Sequence, residues 1–216
     1  ICKQSEGVGA QMGRAIPAII LAAGASSRLG QPKALVEVRQ HPLIFHMVSA
    51  LESTGCSPIV IVTRRELLVD IMLSCPSASV VVNSNPEAGR TGSLQVGLIA
   101  IGETQGRLPK RVIICPIDRP GWSISTLEKL LSGEGDLKPA KDGRGGHPLL
   151  LSRDSIEAVM ASKRDEPLRD IISANQIEVD DPFLHLNIDN PDDLVVLESW
   201  NGYGDDLLPK GASGDS

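Results

Sequence analysis

The first strong signal in the pattern of apolar and polar positions is an unbroken apolar run at residues 18–23. It is too short for a typical helix and suits a strand buried on both faces. Similar strand-like runs stand at residues 58–63, 79–82 and 111–115. Helical spacing of apolar positions alternates with them, over residues 42–53, 66–74, 93–101 and 123–131. Strand–helix alternation at this spacing predicts right-handed crossovers and an α/β fold, with a Rossmann-like, mostly parallel sheet and helices on both faces.

After residue 132 the rhythm changes. A Gly-rich, charged segment at 132–146 precedes the apolar stretch 147–151, and a helix is expected over about 153–162. A short helix at 167–174 and strands near 177–179 and 185–188 follow. Asn190-Pro191-Asp192-Asp193 then opens a last helix, with Asn190 as N-cap and Pro191 at the first helical position. Neither an internal repeat nor a low-complexity linker interrupts the chain, so residues 17–201 are expected to form one domain. Residues 1–16 read as a flexible extension without the basic start or apolar core of a signal peptide, and Met12 is a candidate start within it. Residues 202–216, rich in Gly, Asp and Ser, read as a disordered tail.

Composition narrows the function. A net charge of −6 over 216 residues argues against a nucleic-acid surface, and two Trp, one Tyr and two Phe leave no stacking platform for single strands. A bound base would have to be read by backbone and aliphatic contacts. The four cysteines are scattered without a Cys-x-x-Cys pair, and Cys56 and Cys115 lie in or beside apolar runs, as buried free thiols do. That usage points to a reducing cytoplasm. Every apolar run falls short of the roughly 18–20 residues of a membrane span, so no membrane partner is expected.

The candidate chemistry begins where the first run breaks at Gly24, in a loop of small and hydroxyl residues that carries Arg28 and Lys33. Exposed amides and fixed cations just past a strand's carboxyl end describe a cradle for a polyphosphate, against the alternative of an ordinary solvated loop. Two familiar phosphate loops are excluded: five residues separate Gly24 from Gly30, and Ala25-Ser26 stand where a dinucleotide fingerprint needs its second glycine. Asp118 follows the run 111–115, so strand order aims it at the same crevice. A carboxylate beside a triphosphate suits Mg²⁺, while a turn aspartate before Pro120 is the structural alternative. His41, His46 and His185 have no metal-ligand spacing.

The loop resembles the signature loop of the nucleotidyltransferases with the MobA-like NTP transferase fold, matching it at Leu21, Ala22, Ala23, Gly24, Ser27, Arg28, Leu29, Gly30 and Lys33. The resemblance runs over about residues 17–200 and implies a fold of the nucleotide-diphospho-sugar transferase type. The family's Asp-x-Pro metal site falls on Asp118, with Arg119 at a position usually uncharged. Residues 188–194 resemble a second family motif, which implies Asp189 as the other metal ligand; the helix-start reading of the same stretch explains Asp189 less well. Residues 87–95 resemble the stretch that reaches base and ribose, which implies nucleotide contacts for Arg90, Gly92 and Ser93, with Ser93 also a possible helix cap. Arg90 is equally readable as a solvated residue.

Gly145-Gly146-His147-Pro148 and the segment 166–172 are similar to the cytidylyltransferase branch that acts on the molybdenum cofactor. By that resemblance His147 and Arg169 bind the acceptor, although a lone His before Pro is more often structural. The implied activity is Mg²⁺-dependent transfer of a nucleoside monophosphate to a phosphorylated acceptor with release of pyrophosphate. Arg28, Lys33 and Asp118 would carry the catalysis, CTP is favoured over GTP, and molybdopterin is the favoured acceptor. Transient contact with the enzymes that receive the finished cofactor is implied too. A sugar-phosphate or polyol-phosphate acceptor is the alternative, and a non-catalytic nucleotide-binding regulator is the alternative of another class.

Overall fold

The computed structural model describes residues 15–200, 202 and 203. Residues 1–14 of the expected extension, Met12 among them, and residues 204–216 of the expected tail lie outside the described residues. Ile16, expected to be flexible, packs against the core, and Tyr203, expected in a disordered tail, is buried against Trp122 and Trp200, because both are apolar side chains with a core surface to cover. The first apolar run forms strand β1 (Ala18–Leu21), every residue of it buried. Successive strand side chains point to opposite faces, and both faces of β1 are covered. Ala18 and Ile20 join one core cluster, with Ile44 and Met47 of helix α1 (Leu43–Ser53) and Leu127 of α4 (Ile124–Ser132). Ile19 and Leu21 join another, with Leu94 and Leu98 of α3 (Arg90–Gln105) and Ile156 of α5 (Arg153–Ala161). Helix α3 lies so close to the sheet that a Cβ added at Gly97 would sit 2.8 Å from Ile19 Cγ2. Any side chain at Gly97 would push α3 off β1, so that glycine is a packing requirement.

Strand β1 pairs in parallel with β4 (Ile59–Thr63) on one side and β6 (Arg111–Pro116) on the other, and β5 (Ser79–Val82) continues beyond β4. The chain therefore reverses its direction of winding at β1, and the crevice at the carboxyl end of such a switch point is where open α/β sheets bind ligands. Helix α2 (Leu68–Ser74) connects β4 to β5, and a short ribbon of β2 (Glu37–Val38) and β3 (His41–Pro42) precedes α1.

The second half departs from the expected pattern. The Gly-rich, charged segment 132–146, to which the sequence reading assigns no element, contains β7 (Leu137–Lys141) and β8 (Arg144–Gly145). Pro139 and the charged residues around it give no strand propensity. The strand exists because β9 (Leu149–Ser152) and β10 (Asn175–Glu178) pair with it. Strand β9 runs antiparallel to both β6 and β7, so the whole sheet is mixed, in the order β10-β7-β9-β6-β1-β4-β5 with β8 on β7. The strand expected near 185–188 does not form; Ile188 instead donates a single backbone hydrogen bond to the carbonyl of Asp118 at 2.9 Å. The helix expected over 167–174 shortens to α6 (Leu168–Ile171). The final helix α7 (Pro191–Ser199) starts as expected, with a reciprocal capping box between Asn190 and Asp193. Among the described residues, no helix is long and apolar enough to cross a membrane.

Candidate active site

A cavity of about 370 Å³ opens at the carboxyl ends of β1 and β6. One wall is the loop after β1, a tight turn in which the Leu29 and Gly30 amides both donate to the Ser26 carbonyl, at 3.1 and 3.2 Å. The Ser26 hydroxyl accepts from the Lys33 amide at 3.3 Å, and Ser26 itself has φ near 52°. At Gly24 an added Cβ would meet no protein atom within 4 Å, so the open space beside that backbone is available to a ligand. Arg64, just past β4, clamps the loop by donating from Nε and Nη2 to the Ala23 carbonyl at 3.3 and 3.1 Å. Nothing in the sequence around Arg64 advertises that role; it follows only from β4 lying beside β1.

The charged groups converge across this cavity. Asp189 accepts from Arg28 Nη1 at 2.7 Å and from Lys33 Nζ at 3.0 Å. The hydrogen bond from Lys33, and then that from Arg28, holds the Asp189 carboxyl below its ordinary value. Arg90 Nη2 stands 3.7 Å from Asp118 Oδ2. The backbone bond from Ile188 to Asp118 ties the two acidic segments together, which brings Asp118 and Asp189 to one cavity from 71 residues apart in sequence. Among the described residues no three His, Cys, Asp or Glu side chains cluster as a metal site. Two hard carboxylates facing a cationic loop do fit Mg²⁺, which takes one or two carboxylates and completes its shell with substrate phosphates and water.

Leu21, Ala22, Ala23, Gly24, Ser27, Arg28, Lys33, Arg90, Ser93, Asp118 and Asp189 all line this cavity. Two residues expected with them do not. Gly30 lies on the outer side of the loop, where its φ of 76° makes the turn. Gly92 packs on Arg164, whose carbonyl accepts from its amide at 3.0 Å. Ser93 is not a helix cap, because α3 already begins at Arg90; its hydroxyl accepts from Asn83 Nδ2 at 3.0 Å and so helps hold α3 against β5.

A second cavity, about 560 Å³, adjoins the first and shares Leu21, Gly89, Arg90 and Pro116 with it. His147 and Arg169 line it, as does Lys138 of β7, which the sequence reading missed. Burial, and then the positive charge of Arg90, lowers the His147 pKa to about 4. Its Nδ1 is buried without a partner among the described residues. The ring is thus a neutral polar group in the wall rather than a cation. Arg169 is 86% exposed and 3.8 Å from Asp170, a rim position. Arg119 lines neither cavity. The thiols of Cys56, Cys75 and Cys115 are buried, and burial raises all three, Cys75 to about 12, so they stay protonated and inert.

Known proteins share this architecture. The molybdenum cofactor cytidylyltransferase of Escherichia coli K12 is 27% identical over 195 residues, covering 85% of this chain and 96% of that protein. A molybdenum cofactor guanylyltransferase of Shewanella amazonensis is 27% identical over 157 residues, covering 68% and 76%. A nucleotidyl transferase structure from Methanothermobacter thermautotroptrophicus superimposes with a TM-score of 0.68 at 20% identity, covering 87% of this chain and 97% of that one. The fold is that of the nucleotide-diphospho-sugar transferases. The model of the MobA-like NTP transferase domain matches residues 18–179, three quarters of the chain, and the chain belongs to that family.

Proposed function

We propose that this nucleotidyltransferase moves CMP from CTP to the phosphate of a small acceptor, molybdopterin in the favoured case, and releases pyrophosphate. The observation that carries the reading is the pair of adjoining cavities, one lined by the cationic loop and both sharing Arg90. The loop amides, Lys33 and Arg28 hold the triphosphate, and the acceptor enters from the second cavity. An acceptor oxygen forms a bond to the α-phosphorus as the bond from that phosphorus to the bridging oxygen breaks, and the electron pair leaves with pyrophosphate. A phosphomonoester is largely ionised near neutral pH, so the attack needs no general base.

The protein's part is positioning and charge. Lys33 and Arg28 are paired with Asp189 at 3.0 and 2.7 Å, so an incoming triphosphate competes with that carboxylate for both cations. Exchange of partners would leave Asp189, which lines the same cavity as Asp118, free to hold Mg²⁺ with it. When bound there, the ion would neutralise charge on the phosphoryl oxygens. Arg90 stands at the junction, where acceptor and α-phosphate would meet.

The preference for CTP is supported by Ala23, the Gly-His-Pro segment and the near full-length match to a cytidylyltransferase. The test is binding of the four NTPs with Mg²⁺, followed by pyrophosphate release with a panel of molybdopterin, polyol phosphate and sugar phosphate. CTP binding and release with molybdopterin alone is the expected result. Release only with a polyol or sugar phosphate would reassign the acceptor. Nucleotide binding with no release for any acceptor would make the chain a binder.

A further inference from the structure

The second cavity contains a cation that the reading above leaves unused. Lys138 sits in β7 and is only partly exposed, with its stem lying over Gly145 of β8: a Cβ there would come 3.0 Å from Lys138 Cε and 3.1 Å from Cδ. At the next residue, a Cβ on Gly146 would come 2.8 Å from Leu184 Cγ. The two glycines ahead of His147 therefore leave a lane for the lysine stem and let the strand pack on Leu184.

Other cations at the two cavities have partners. Lys33 and Arg28 hold Asp189, Arg90 faces Asp118 and Arg169 lies near Asp170. The Lys138 ammonium has neither an ion pair nor a hydrogen bond among the described residues. Two carboxylates, Asp165 and Glu166, also line this cavity, and Glu166 Oε2 accepts from the Lys163 amide at 3.3 Å. Apolar side chains, Ile114, Leu149 and Ile172, make up much of the remaining wall. An ammonium without a pairing carboxylate among the described residues, lining a hollow with apolar walls, gains most from an anion that enters it.

We propose that Lys138 is the anion anchor of the second cavity, binding an anionic oxygen of a phosphomonoester acceptor whose uncharged body lies against the apolar wall. The inference rests on the nucleotidyl-transfer reading and names the residue that gives its acceptor side charge selectivity. Arg169, exposed at the rim, is then secondary.

The test uses the full chain with the first cavity filled by a non-transferable CTP analogue, and titrates phenyl phosphate and phenol as probes. Wild type should bind phenyl phosphate at least tenfold more tightly than phenol. Lys138→Ala should lose most of that difference, Lys138→Arg should keep it, and the analogue's affinity should be unchanged in both. In turnover, Lys138→Ala should raise KM for the phosphorylated acceptor with kcat little altered, a split that a merely structural role does not produce. Wild-type phenyl phosphate affinity in folded Lys138→Ala would overturn the anchor and leave the nucleotide reading intact. Equal loss of analogue and probe affinity in Lys138→Ala would show a structural role and overturn it as well. Failure of the wild type to bind the analogue would overturn the underlying reading and the anchor with it.

Discussion

The two cavities share Arg90 and yet are built in opposite ways. The first rests on consecutive residues: β1 runs straight into the loop that ends at Lys33, and parallel neighbours on both sides fix where that loop stands. The second is assembled from the β7–β8 hairpin and α6, more than twenty residues further along the chain, and β7 is held in place by antiparallel pairing with β9 and parallel pairing with β10. Their charges differ too. Around the first cavity cations and carboxylates neutralise one another, whereas in the second an ammonium and a neutral imidazole have no ion-pair or hydrogen-bond partner among the described residues. A site that binds one invariant group, the triphosphate, suits a contiguous loop. A site that distinguishes among acceptors suits parts that separate loops supply.

The sharpest way to break this division is at the carboxylate nearest the junction. Asp118→Asn should cut turnover by about a hundredfold or more while nucleotide affinity falls only modestly, because the lost charge matters most as the transition state forms. Asp189→Asn should act the same way, and the double variant should lose little beyond either single one. Steady-state kinetics beside calorimetry checks both, and full turnover in folded Asp118→Asn would remove this carboxylate from the chemistry.

Lys33→Ala should weaken nucleotide binding by about ten- to a hundredfold, the scale of one charge-assisted contact of roughly 1.5–3 kcal/mol. The side chains differ in burial, 12% exposed for Lys33 against 77% for Arg28, so Arg28→Ala should cost only a few-fold. Equal losses on calorimetry would mean that the ligand buries Arg28 as deeply as Lys33.

The acceptor side is tested by acid. The folded His147 pKa is about 4, below its ordinary 6.5, so between those values the unfolded chain binds more protons. Stability from the neutral ring is therefore present above about pH 6.5 and lost as pH falls towards 4, by about 1–3 kcal/mol. His46, lowered chiefly by burial, contributes with the same sign. Urea midpoints at pH 7 and pH 4.5 should converge less in wild type than in His147→Gln; an identical acid dependence would show that His147 takes no part. The smallest effect belongs outside both cavities. Asn190→Ala removes the cap of α7 and should cost about 1 kcal/mol in thermal stability with catalysis nearly intact.

Legibility followed the same divide. Strands β1, β4 and β6 were readable because each is a short apolar run buried on both faces, and β5 as a partly buried apolar run at the sheet edge. The two-residue strands β2 and β3 carry no such run and were not readable, and Asp118 was placed by strand order alone. Asp189 was readable only through its motif; its pairing with Lys33 and Arg28 needed the backbone contact between Ile188 and Asp118. Gly92 and Gly30 were read as ligand contacts; neither lines the first cavity, Gly92 packing on Arg164 and Gly30 making the turn, since a glycine's reason for being small lies in whatever stands next to it. Arg64 and Lys138 carried no signal, because a single basic residue reads the same whether it clamps a loop, lines a cavity or meets only water.

The sequence by itself determined the local matters: the alternation of strand and helix, the cationic loop after β1, the capping box of α7 and the absence of reactive thiol spacing. Each depends on residues within a few positions of one another, where propensity and periodicity act directly. The tertiary structure alone decided that Pro139 lies in a strand, that Asp118 and Asp189 share a cavity and that Lys138 faces a hollow beside His147. Those outcomes depend on pairings between segments tens of residues apart, whose energies come from the partner's surface and so are not written in the local run of side chains.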